Sequence, residues 1–156
     1  LRIIHELRNP ADLILFVRMF FFALSVPLLF RLKLPTLQRL LEPTKPPSKY
    51  EPAMVQRISA SIDRLVGFGQ PLFRSVCLAR GTTLYYFLRR AGMDVSLCFG
   101  IRNSDAGFIG HCWLVRDGLP FMEALDPRLL YTAIYSIPQN PPEKAAVRAK
   151  DFALKG

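Results

Sequence analysis

The chain has 156 residues, 51% of them hydrophobic, which suits one domain with a buried core and excludes disorder throughout. Its net charge of +9 favours an anionic partner, such as an acidic peptide or a membrane surface. The basic residues are scattered, with no dense Lys/Arg run interleaved with aromatics, and this argues against nucleic acid.

Asn9-Pro10-Ala11-Asp12 reads as a helix start, with Asn9 as N-cap, Pro10 at the first helical position and Asp12 near the positive helix end. Leu13 to Phe30 is then nearly all apolar, with Arg18 inside it and Pro27 expected to kink or end it. A helix apolar all round is either wrapped by protein or in contact with lipid. An arginine near mid-span costs about 2.5–3.5 kcal/mol on insertion scales, which favours the packed helix over the membrane-associated one. Thr36 is expected to cap a short helix through Leu41. Glu42 to Pro52, with Pro43, Pro46, Pro47, Lys45 and Lys49, reads as a linker. Met54, Val55, Ile58, Ile62, Leu65 and Val66 recur at helical spacing, with Gly67 as the expected stop.

The second half carries the chemistry. A helix is expected from Val76 to Arg90, capped by Ser75 and ended by Gly92, with Arg89 and Arg90 complementing its negative end. Val95 to Ile101 reads as a strand and Asn103 to Gly110 as a loop. His111 to Arg116 and Pro120 to Leu125 read as a hairpin around Asp117-Gly118. The segment from Glu143 to Gly156 is charged and expected to fray.

Three cysteines are present: Cys77, Cys98 and Cys112. The odd count, with no CxxC, argues against a disulfide framework and for a reducing, cytoplasmic compartment. With only His5 and His111 to add, a closed zinc site is hard to assemble; no P-loop occurs, and no cofactor is expected. Cys77 falls in the first turn of its helix, where backbone N–H groups and the helix dipole favour a thiolate and can stabilise an oxyanion. Cys98 lies within an apolar strand and reads as core; Cys112, next to His111 on a strand, points to the opposite face. Gln70, just before the helix, is a candidate oxyanion donor by proximity.

A nucleophilic thiol needs a base, and the base an orienting partner. His111 is the candidate base. If the hairpin turn is the two-residue Asp117-Gly118, His111 pairs with Ala124 and Asp126 lies on its face; if the loop has three residues, Arg116-Asp117-Gly118, Glu123 sits opposite His111. Asp126-Pro127 also reads as a helix start, which leans the choice towards Glu123.

Cys77-Leu78-x-Arg80, Leu84, Arg89-Arg90-x-Gly92, Gly100-Ile101-Arg102, and Phe108-x-x-His111-x-Trp113 before Asp117-Gly118 together resemble the leader peptidases of lasso-peptide biosynthesis. These are transglutaminase-like, papain-type cysteine peptidases of bacteria. The resemblance spans about Phe73 to Ile137. It implies Cys77 as nucleophile, His111 as base and Glu123 as orienting acid, and it supports the three-residue loop. Cys112 replaces the usual alanine, Val115 stands where an acid is common, and Glu123 stands where aspartate is frequent. No fused leader-recognition domain is seen. The resemblance therefore implies three partners: a precursor peptide with its leader, a separate leader-recognition protein, and an ATP-dependent macrolactam cyclase. Acyl transfer on another substrate, or a non-catalytic membrane-associated scaffold, are the other readings of such a chain.

The expected fold is α+β: a helical N-terminal half, then the Cys77 helix packed on a small antiparallel sheet bearing His111 and Glu123. The expected divisions are an apolar helical region with its linker (1–52), the peptidase core (53–140) and a charged tail (141–156).

Overall fold

The computed structural model describes residues 9–44, 50–69, 75–105 and 107–139. Four helices precede a four-stranded antiparallel sheet, an α+β arrangement consistent with a transglutaminase-like core. The chain forms two compact units, dividing between Asp94 and Val95.

The first unit is helical. Helix α1 (Pro10–Leu29) starts as its sequence dictates: the Asn9 side chain accepts from the Ala11 N–H, and Pro10 opens the first turn. Pro27 lies inside the helix, which ends two residues later. Leu15, Met19, Ala23 and Val26 form its buried stripe, and α1 packs on α3 (Pro52–Gly69) and α4 (Val76–Arg90). Each Leu, Met or Val so buried contributes roughly 1.5–3 kcal/mol. Phe22 stacks on Tyr86 at 4.2 Å between ring centroids, and Asp12 pairs with Arg57 of α3. Val55, Ile58, Ile62 and Leu65 are the buried face of α3, as their spacing predicted.

Several boundaries differ from expectation. Helix α2 (Leu34–Leu41) begins before Thr36, with Lys33 at the N-cap, because Pro35 suits the first turn and leaves Thr36 inside. Pro52 opens α3 for the same reason and does not belong to the linker. Gly67 does not stop α3, which runs to Gly69; no neighbouring atom crowds Gly67, so the helix passes through at modest cost. Linker positions 45–49 lie outside the described residues, as do Gln70 and the C-terminal segment from 140.

Helix α4 has the expected bounds. Gly92, at φ 83°, supplies the left-handed residue after it, and Met93 N–H donates to the Leu88 carbonyl, closing the last turn. Arg90 reaches back to the carbonyls of Leu41 (2.9 Å) and Glu42 (3.3 Å) while lying over the Tyr86 ring. It thereby satisfies the open end of α2 and fixes that helix to α4.

The second unit is the sheet, with strand order β3-β2-β1-β4. Strands β1 (Ser96–Ser104) and β2 (Gly107–Arg116) form a long hairpin, so Asn103, Ser104 and Gly107 to Gly110, expected as loop, are strand. Ladder hydrogen bonds hold this polar, glycine-containing stretch extended although its side chains are largely exposed. Strand β3 is only Leu119–Phe121, and β4 (Thr132–Ile137), which has no counterpart among the expected strands, completes the other edge. The register sets Gly100 and Cys98 on the face of His111 and Trp113, and Leu97 with Cys112 and Leu114 on the other. Leu97, Leu114, Ile137 and Trp113 are fully buried.

Candidate active site

Cys77 lies in the first turn of α4, where the leading N–H groups have no intrahelical acceptors. Ser75 occupies the N-cap position, yet its side chain makes no capping hydrogen bond. Its hydroxyl instead sits 3.4 Å from the Cys77 sulfur. The expected cap is thus replaced by a hydroxyl–thiol contact. Cys77 is half-buried.

His111 sits mid-strand on β2, opposite Gly100. Its imidazole is one member of an aromatic group: Tyr131 lies 5.1 Å away between ring centroids and Trp113 6.0 Å. A glycine is required opposite. A Cβ on Gly100 would stand 2.7 Å from Cη2 of Trp113 and 2.9 Å from the Thr132 carbonyl oxygen. Gly100 therefore leaves the room that the Trp113 indole occupies over the strand.

The Nε2 atom of His111 is 3.8 Å from Oε2 of Glu123. This exceeds hydrogen-bond length, so the contact is an ion pair only when the imidazole is protonated. His111 and Glu123 side chains are 25% and 15% exposed, so the pair is shielded yet reachable.

The route to this contact corrects the expected loop. The hairpin turn is the two-residue Asp117-Gly118, both with positive φ (51° and 76°), not the three-residue loop. Continued pairing would set Ala124 opposite His111. The ladder stops at Phe121, however, and Met122 adopts φ 59°, which turns the chain and delivers Glu123 to the imidazole. Arg128 holds the following segment from both sides: it bonds the Gly118 carbonyl at 3.0 Å and the Asp126 carboxylate at 2.6 Å. Asp126 accepts from the Arg128 N–H and caps the short 3-10 turn Pro127–Leu129. The Arg128 side-chain hydrogen bond holds its carboxyl below the ordinary range. Its occupation is structural, as the capping argument anticipated.

Cys98 is pushed up to about 11 by burial, which keeps it a neutral thiol. Cys112 is buried on the face away from His111. Among the described residues no three His, Cys, Asp or Glu side chains could hold a metal ion. The second unit also has a groove of about 460 Å³, lined by Ile101, Asn103, Phe108, Leu129, Leu130 and Ile134 among others, with Ile101, Asn103 and Phe108 on the sheet face away from His111. Tyr131 itself was not legible as a site residue: an aromatic ahead of an unrecognised strand carries no sign of its neighbours.

A family model described as the transglutaminase-like superfamily matches residues 19–136. The chain belongs to the transglutaminase-like superfamily. The match runs from α1 into β4 and takes in Cys77, His111 and Glu123. It places the chain among cysteine-peptidase-like proteins. Comparison with curated proteins and with solved structures returned no significant match.

Proposed function

We propose that this superfamily member is a cysteine peptidase that removes the leader from a ribosomally made lasso-peptide precursor. The observation that carries the reading is the His111–Glu123 contact of 3.8 Å, a base with its orienting acid at the two positions where the family resemblance expects them. Cys77 supplies the thiol. Its sulfur attacks the scissile carbonyl carbon while His111 takes the thiol proton. The C–N bond breaks as that proton passes to the leaving amine, and water then hydrolyses the thioester to release the acid and restore the thiol. Glu123 stabilises the imidazolium through both steps. The first-turn N–H groups of α4 are the oxyanion donors closest in sequence to the nucleophile.

A leader-recognition protein would present the precursor, and an ATP-dependent cyclase would consume the released core. The test is to mix the purified chain, the leader-recognition protein and the precursor, and to follow the masses. Release of intact leader by wild type but not Cys77→Ala is expected. Release of ammonia, or transfer to an added amine without cleavage, would assign the site to amidase or acyltransferase chemistry instead.

A further inference from the structure

Helix α1 has two apolar faces, and among the described residues only one is packed inside the protein. The inner stripe, Leu15, Met19, Ala23 and Val26, is buried against α3 and α4. At about 100° per residue, Leu13, Ile14, Val17, Phe21, Leu24 and Leu28 fall within roughly 100° of arc on the opposite side. They are 39–66% exposed. Soluble proteins seldom leave so continuous an apolar stripe uncovered.

The surrounding charge is of one sign. Arg18, Arg31, Lys33 and Arg39 are exposed along α1 and α2. The carboxylates of this stretch are engaged locally, Asp12 with Arg57 and Glu42 with Gln38. Arg18 lies about 90° round the helix from the centre of the apolar stripe, at its border, where its long stem reaches a headgroup while the stripe enters the acyl boundary. A spanning helix would have to leave its contacts with α3 and α4, including the Phe22–Tyr86 stack at 4.2 Å.

We infer that α1 is an interfacial anchor: it lies in the plane of an anionic membrane, its outer apolar stripe in the lipid and its inner stripe still packed in the protein. This holds whether or not Cys77 is a nucleophile.

The test is sedimentation of the full chain with vesicles of phosphatidylcholine alone, and of phosphatidylcholine with phosphatidylglycerol. Binding to the anionic vesicles, weakened by salt and released by an alkaline carbonate wash, is expected. Phe21→Asp should lower partitioning by about tenfold or more, since one buried aromatic side chain is lost from the lipid. Its circular dichroism and melting should be unchanged, because Phe21 is 66% exposed. Arg18→Glu leaves the apolar stripe whole and should weaken only the anionic preference. Four outcomes overturn the inference: no binding to anionic vesicles; binding indifferent to both substitutions; resistance to the carbonate wash, which marks a spanning helix; or a dimer in solution that Phe21→Asp dissociates, which marks a second copy as the cover.

Discussion

Glu123 faces the imidazole of His111 at 3.8 Å although the two residues are out of phase across the β2–β3 hairpin. Strand parity alone would have turned Glu123 away. The left-handed residue Met122, immediately after the last ladder pair, removes the parity constraint. A β-branched residue at φ 59° is strained, so Met122→Val should lower stability by about 1–2 kcal/mol in urea unfolding. Met122→Gly should change it by less than about 1 kcal/mol.

Gly100 pairs with His111 across the ladder and makes room for the Trp113 indole. In Gly100→Ala the new methyl meets the Trp113 ring and the Thr132 carbonyl, neither of which is the end of a flexible chain. A loss of about 1–3 kcal/mol is expected. Trp113 is the single tryptophan of the chain, so its fluorescence reports the displacement directly and should shift to the red.

Asp126 and Glu123 differ in their contacts: Arg128 holds the first, and His111 lies beside the second. If the proposed peptidase reading holds, Glu123→Gln should slow leader cleavage at least about tenfold, because the base loses its orienting acid. Asp126→Ala should leave the rate per folded molecule unchanged and cost about 1 kcal/mol, the worth of a cap. Arg128 holds the Asp126 carboxyl low in the folded protein, so its stabilising contribution is present above the ordinary carboxylate pKa. That contribution is lost as the pH falls through the lowered value. Acid should therefore destabilise wild type more than Asp126→Ala.

At alkaline pH the sign reverses. Burial raises Cys98 to about 11 and Tyr85 to about 12, so the fold holds both in their neutral forms. The unfolded chain ionises first, and stability present at neutral pH is lost as the pH rises through these values. The urea midpoint should fall steeply above the ordinary thiol and phenol range. The slope should flatten in Tyr85→Phe, which also removes a buried hydroxyl that has no partner among the described residues.

Much of this arrangement was legible in the sequence where local chemistry decides it. Asn9-Pro10 and Gly92 mark helix ends because capping involves only neighbours, and α4 has its expected bounds. Asp117-Gly118 marks a turn because both residues tolerate positive φ. The failures are tertiary. The stretch Asn103 to Gly110 has no apolar alternation, and only pairing between β1 and β2 makes it strand. Met122 is an unremarkable residue in composition, yet it decides how Glu123 meets His111. The second apolar face of α1 was visible as a helix apolar all round; which half was packed depended on α3 and α4.

The central claim is that Cys77 and His111 act as a pair. It is tested most directly by the rate of iodoacetamide alkylation of Cys77 across pH, read by peptide mass mapping so that Cys98 and Cys112 are counted apart. The account predicts reaction in wild type well below the pH at which a free thiol reacts, and loss of that low-pH reactivity in His111→Ala. A Cys77 that reacts like a free thiol in both proteins, or that is inert in both, would contradict it.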